Sequence, residues 1–412
     1  MGRLGEALSP ARLGLGFRWL LGSSWVSNIG DGIGVAAGPL LVASLTHDPT
    51  VVAMAVLLQR LPWLLFGLHA GLLADRLDRR VIVVVVDLLR AVVLAALAVT
   101  IVVGTITVPL VLAVTFLVGT AETFADTTTH TLLPMLVKED DLGSGNARIM
   151  AAFITGNQLA GPLIGAALFT LGTATPFAVQ ASCVGLGALM ISRIGTTASV
   201  SGDLPVETMR RRIAGGFRWL WSHPPVRTLT VAIVAFNVTF GAAWSVLVLY
   251  AQQRLGLGDV GFGVLLSASA IGGVVGSCSY GWIEGHFSLG NVMRAGLLVE
   301  TGTHLTLALT RSPALAFATL LVFGIHAAVW GTIASSVRHR AVPASLQGRV
   351  GSIYLMGVQA GLVVGAALGG VLASMGGITA PYWFGFVGSA VILIAIWVNL
   401  DQIAHAKAEP AD

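Results

Sequence analysis

The chain has 412 residues, of which 55% are apolar and only 10% charged. Soluble domains carry about 25% charged residues, so this is a polytopic membrane protein and not a soluble enzyme or binding domain. Its net charge of +4 comes from arginines dispersed among the loops, a pattern that reports membrane topology and excludes a nucleic-acid footprint.

Residues 1–16 are mildly basic and run into the first apolar stretch with no short apolar core and small-residue cleavage site, which reads as a signal anchor. At about 20 residues per crossing, twelve segments follow in order, over 17–44, 51–73, 81–103, 107–133, 146–172, 176–194, 227–251, 260–283, 290–310, 313–337, 350–375 and 379–400. The expected fold class is therefore an all-α membrane protein of twelve transmembrane helices in two six-helix bundles. An even number puts both termini on one side, and the positive-inside rule makes that side the cytoplasm. On this reckoning Arg254 and Arg311 lie outside, Arg60 and Arg90 lie in the membrane, and the other arginines and lysines, from Arg3 to Lys407, are cytoplasmic.

The domain division expected is an N-terminal bundle over 1–194, a cytoplasmic linker over 195–226, and a C-terminal bundle over 227–412. The linker carries the basic run Met209 to Trp221, which reads as an amphipathic helix lying on the anionic inner leaflet. Phe217-Arg-Trp-Leu in the linker echoes Phe17-Arg-Trp-Leu before the first segment, a hint of two related halves. Cys183 and Cys278 both sit in apolar runs, so neither a disulfide framework nor a zinc site is indicated.

Ionisable groups inside a bilayer are expensive and mark function unless they are paired. Asp31 lies about 21 Å and Arg60 about 20 Å from the inner ends of their segments at 1.5 Å per residue, so the two share a depth and are expected to pair. That bridge either staples the first two segments or belongs to a coupling site. Glu122, at about 17 Å on the same reckoning, adds a second carboxylate near the midplane. Asp31 and Glu122 are therefore the candidate proton-coupling residues. Asp87 and Arg90, three apart, are expected to neutralise each other, and Glu300 and His304, four apart, to form a structural pair.

Between the second and third segments stands Gly71-Leu-Leu-Ala-Asp75-Arg76-Leu-Asp78-Arg79-Arg80. It resembles the G-x-L-x-D-R-x-x-R-R loop signature of the major facilitator superfamily of transporters. Asn28-Ile-Gly-Asp31-Gly, Gln59-Arg60-Leu-Pro62, Glu122-Thr-Phe-Ala-Asp126 and the run Arg338 to Arg349 are similar to the bacterial macrolide-efflux and enterobactin-exporter branch. Gly161-Pro162-Leu-Ile-Gly165 is similar to the antiporter motif G-P-x-x-G-G, with Ala166 in place of the last glycine. The second half's counterpart of the loop, from Gly281, lacks the Asp-Arg pair.

The resemblance implies that segments 1, 4, 7 and 10 line a substrate cavity, with Asn28, Arg60, Asn237, Trp244, His326 and Trp330 on its wall. Trp244 and Trp330 serve equally well as interfacial anchors. It also implies a cytoplasmic gate of Gly71, Asp75, Arg76, Arg79, Arg80, Asp126 and Arg349, unless the loop arginines only set orientation. Gly71 is expected to admit close helix approach and Asp75 to face a helix N-terminus. Asp126 and His130 are expected near the loop arginines.

The function expected is secondary active export of a lipophilic small molecule, such as a drug, antibiotic or siderophore-like metabolite, by proton antiport and alternating access. A proton-coupled uptake symporter is the nearest rival, and a non-transport membrane protein follows. The partners are the substrate, protons and the lipid bilayer of a bacterial inner membrane, the protein acting as a monomer without nucleic acid, cofactor or metal. No G-x-x-x-x-G-K-[ST] loop occurs, which excludes P-loop ATP hydrolysis. Nor does a nucleophile–base or metal grouping indicate an enzyme.

Overall fold

The computed structural model describes residues 11–195 and 209–405, so the basic start of the chain, the first part of the linker and Lys407 lie outside the described residues. The membrane helices are α1 Gly14–Leu45, α2 Pro49–Arg76, α3 Arg79–Val103, α4 Val108–Leu136, α5 Glu139–Leu171 and α6 Thr175–Ser192. After the linker helix α7 Met209–Ser222 come α8 Pro224–Ser245, α9 Asp259–His286, α10 Leu289–Leu309, α11 Pro313–Ala341, α12 Ala344–Gly376 and α13 Ala380–Ala404. Each of the twelve expected segments falls on one of these helices, the seventh running past the end of α8 into the short turns Leu247–Leu249 and Tyr250–Arg254.

Eleven of them, among the described residues, are long and apolar enough to cross a membrane. The exception is α10. It is a 21-residue helix, long enough for a bilayer at 1.5 Å per residue, but Arg294, Glu300 and His304 interrupt its apolar character. Helix ends follow local chemistry. Asp78 caps α3 by accepting from the backbone N–H of Arg80 at 2.9 Å, and Ser288 and Ser312 cap α10 and α11. Proline opens α4, α6, α8 and α13, where its missing N–H costs nothing.

The helices group into two compact units. The first holds α1, α2 from Leu58 onward, α3 to α6 and the beginning of α9 through Ser267; the second holds the start of α2, α7, α8, the rest of α9 and α10 to α13. A core of Phe17, Leu20, Leu21, Leu132, Leu133 and Ile191 fills one end of the first. In the second, Val226, Leu229, Leu297, Ile333, Val337 and Leu400 do the same.

Tight crossings repeat in both units. In the first, α1 meets α5: a Cβ on Gly32 would lie 2.6 Å from the carbonyl oxygens of Gly156 and Asn157 and 2.8 Å from Gly161 Cα. In the second, α8 meets α12: a Cβ on Gly241 would lie 2.7 Å from the Leu362 oxygen, and one on Gly361 2.7 Å from the Val234 oxygen. Backbones this close need glycine, as membrane helix packing often does. Gly32→Val is therefore expected to destabilise the first unit by at least the roughly 1–3 kcal/mol of an overpacked core, read as a lower thermal midpoint in detergent. Gly38→Ala, where an added Cβ meets nothing within 4 Å, is expected to leave that midpoint unchanged.

This repeat differs from the one suggested by the Phe-Arg-Trp-Leu echo. Phe17 is fully buried in α1, whereas Phe217 is 51% exposed on the linker helix α7. Asn28 in α1 and Asn237 in α8 share a local arrangement. Each donates its side-chain amide to the backbone carbonyl four residues earlier, Ser24 at 2.7 Å and Ile233 at 2.8 Å.

Candidate functional site

The charged heart of the first unit is built around Arg90 on α3. Its guanidinium donates to Asp31 on α1 and, at 3.3 Å, to Asp87 one turn earlier on its own helix. The side chains are 2% exposed for Arg90, 10% for Asp31 and 6% for Asp87. Glu122 and Asp126 on α4 lie close enough to act on the charge of Arg90. Two carboxyl groups thus bond one guanidinium and two more, half-buried, lie within range of its charge, an arrangement that bilayer burial makes costly unless charge is balanced locally.

Two expectations about this cluster are corrected. Asp31 pairs with Arg90, not Arg60. Arg60 matches Asp31 in depth but is exposed on α2, and its charge is felt at Glu122 instead. Asp87 and Arg90 do bond, yet they form part of a three-residue bridge linking two helices and not an isolated pair.

Asp126 belongs to this cluster as well, since Glu122, Asp31, Arg90 and Asp87 are the groups that act on it. The loop arginines are engaged elsewhere. Arg79 donates to the Ala74 carbonyl at 3.0 Å and to Met135 Sδ at 2.7 Å, and Arg80 to the Ile194 carbonyl at 2.9 Å. They satisfy carbonyls at the ends of α2 and α6, where positive charge is favoured. His130 is exposed on α4.

In the loop itself Asp75 is 71% exposed and stands 3.8 Å from Arg79, one turn on. Asp78, not Asp75, occupies the N-terminus of α3. A Cβ on Gly71 would meet open space among the described residues, so the close approach expected there is not made. Arg76 is exposed. Arg349, half-buried at the start of α12, lies against the linker helix, where a Cβ on Gly216 would fall 3.0 Å from Arg349 Cβ.

Gly161, Pro162 and Gly165 are buried at the crossing of α5 with α1. Just before them α5 widens into a π-turn over Phe153–Ala160, whose Gly156 abuts Asn28. Such turns recur at functional sites. The sequence carried no cue to this one beyond the irregular glycine spacing.

The residues expected on the cavity wall have diverse surroundings. The amides of Asn28 and Asn237 donate to their own helices, as above. Trp244 stacks on Phe240 at 5.0 Å, and Phe240 on Phe323 at 5.4 Å. Trp330 packs edge-on to Phe236 and His326. His326 reaches Glu300 Oε2 at 3.3 Å, while His304 stands 3.5 Å from Glu300 Oε1. The expected Glu300–His304 pair is thus a triad that takes in a histidine expected to face substrate.

Apolar helices in two units, glycine-tight crossings repeated in each, and ionisable clusters buried among them define a membrane transporter of the major facilitator fold. Solved structures agree on that fold. The nucleoside transporter NupG superposes with a TM-score of 0.72 at 13% identity, covering 96% of this chain and 100% of the other. A bacterial homologue of the iron transporter ferroportin gives 0.74 at 13% identity, covering 94% and 98%.

The transmembrane secretion effector family model matches residues 6–412, and the chain belongs to that family of the major facilitator superfamily. It is 27% identical over 380 residues to the multidrug efflux pump Tap of Mycolicibacterium fortuitum, covering 88% of this chain and 90% of that protein. To the enterobactin exporter EntS of Escherichia coli strain K12 it is 23% identical over 405 residues, covering 96% and 94%.

Proposed function

We propose that this transporter exports a lipophilic small molecule across the bacterial inner membrane in exchange for protons, working as a monomer with both termini in the cytoplasm. In this reading the chain is two six-helix bundles, over 1–194 and 227–412, working by alternating access. The observation that carries the reading is the cluster around the buried Arg90, with Asp31 and Asp87 bonded to it and the half-buried Glu122 and Asp126 acting on its charge. One guanidinium cannot balance four carboxylates in a medium that excludes ions, so the cluster takes up protons and releases them when its surroundings change. The export direction is supported by the likeness to Tap and EntS, both exporters by name. Proteoliposomes reporting internal pH and substrate together test it. Proton release coupled to uphill substrate movement is expected; substrate flux with no proton counterflow overturns it.

Asp31 and Glu122 are proposed as the coupling groups, Arg60, Asn28, Asn237, Trp244, His326 and Trp330 as substrate contacts, and the signature loop with Arg349 as the cytoplasmic gate. Asp75 is the telling member of the gate. Its exposed pair with Arg79 is worth little to stability, so Asp75→Asn is expected to leave expression and insertion intact. A gate contact biases a two-state equilibrium by about 1–3 kcal/mol, so transport should fall roughly fivefold or more. Cysteine-accessibility labelling that finds an unchanged balance of inward- and outward-open forms would refute the gate role.

A further inference from the structure

Glu300, His304 and His326 have no part in proton coupling as proposed above. Glu300 and His304 lie one turn apart on α10, and His326 faces them from α11. Their side chains are 9%, 3% and 9% exposed. Glu300 lies between the two imidazoles, 3.5 Å from His304 Nε2 and 3.3 Å from His326 Nε2.

Among the described residues, the surroundings supply no fixed positive charge. The two histidines are the groups whose charge acts on Glu300. Arg294, nearer the start of α10, is held by Asp401 at 2.6 Å and Asn291 at 3.0 Å. From α13, Gly385 gives room for the His304 ring, and Tyr382 is packed nearby. Tyr250, its ring tilted against that of Tyr382 at 4.5 Å, donates its hydroxyl to the Leu307 carbonyl. Both buried ring nitrogens of His304 are without a hydrogen-bond partner among the described residues, Nε2 facing Glu300 at 3.5 Å in charge contact only.

A buried carboxylate needs a counter-charge. In the first unit Arg90 supplies it permanently, because a guanidinium keeps its proton. Here the counter-charge has to be a proton on imidazole, which titrates near neutrality. We propose that Glu300, His304 and His326 form a proton-binding site, holding one exchangeable proton between the two imidazoles beside an ionised Glu300.

Two further features fit that role. The triad makes α10 the least apolar membrane helix, a cost that a purely structural contact could avoid with apolar side chains. A cavity of about 440 Å³ between α9, α10 and α11 opens onto His326 and runs to Asn291, so one face of that ring is not sealed by packed protein. Gly296 sets its position, since a Cβ there would lie 2.7 Å from His326 Nδ1.

Nitrogen NMR of histidine-labelled protein in lipid nanodiscs tests this without any transport assay. The His304 and His326 signals are assigned from their single glutamine variants and followed between pH about 5 and about 8, the range of imidazole titration. In the wild type the two are expected to titrate together and to carry one proton near neutrality. Glu300→Gln, isosteric with the native residue, should leave both neutral there, and Gly296→Ala should uncouple His326 while leaving His304 beside Glu300. Two imidazoles that stay neutral throughout in folded wild type, or a titration indifferent to Glu300→Gln, would overturn the proposal. The same titration is expected in Asp31→Asn. A wild type that shows it without proton-coupled flux would retain this site and lose the antiport reading.

Discussion

Arg90→Leu is expected to be among the most damaging single changes in the first unit, lowering stability by roughly 3–5 kcal/mol because it strands Asp31 and Asp87 in the membrane interior. Both carboxyl groups bond to that guanidinium, and Arg90 itself is 2% exposed. The damage comes from the uncompensated carboxylates more than from the lost attraction. The triple variant Asp31→Asn, Asp87→Asn, Arg90→Leu should therefore recover most of the loss, as replacing a whole buried ion group often does. Arg60→Leu, at an exposed position, should cost within about 0.5 kcal/mol. Thermal unfolding of the four proteins in one detergent and lipid mixture decides the matter. If Arg60→Leu and Arg90→Leu lowered the midpoint equally, the bridge would not belong to Arg90 alone.

That comparison also marks how far sequence reading reaches. Depth along a helix follows from a residue count and a fixed rise, so Asp31, Arg60 and Glu122 were legible as ionisable groups at similar levels. Azimuth and neighbourhood are not countable in this way. Arg60 matches Asp31 in height but is exposed, while Arg90 on the next helix meets it. Asp87–Arg90 and Glu300–His304 were readable because three and four residues make one helical turn. Their third members, Asp31 and His326, come from other helices and depend on packing that no local pattern encodes. Likewise the asparagines of α1 and α8 were visible as polar residues, but not that each amide is spent on its own backbone.

The fold itself was more open to reading than the site, because spanning length and apolar content decide where a membrane helix can form. Even α10 was found, although its polar residues leave it outside the helices that qualify on hydropathy. Its burden of Arg294, Glu300 and His304 is intelligible once their partners are seen, Asp401 for the first, and for Glu300 both His304 on its own helix and His326 from α11. Gly71 shows the reverse. It belongs to the signature that carried the resemblance, yet a Cβ there would meet nothing within 4 Å among the described residues, whereas Gly32 and Gly161, which also stand in motifs of the sequence, hold two backbones together.

Asp31→Asn and Glu122→Gln are each expected to abolish uphill, gradient-driven export, and at least one of them to retain substrate binding or downhill movement. The reasoning is charge balance. A group that carries protons must be neutral at one stage of the cycle and ionised at another, and an amide is neutral at every stage. The two variants differ in their side effects. Asp31→Asn removes an acceptor from Arg90, so it should also lower stability, and its transport has to be read beside its thermal midpoint. Glu122 makes no direct bond to Arg90 among the described residues and acts on it through space, so Glu122→Gln is the cleaner test, with coupling lost and the midpoint largely kept. Proteoliposomes with an imposed proton gradient, a pH dye inside and a tritiated lipophilic substrate give uphill flux, downhill flux and proton movement from one preparation. Should both variants keep full uphill export with unchanged pH dependence, the carboxyl groups are structural and proton exchange at the Arg90 cluster fails with them.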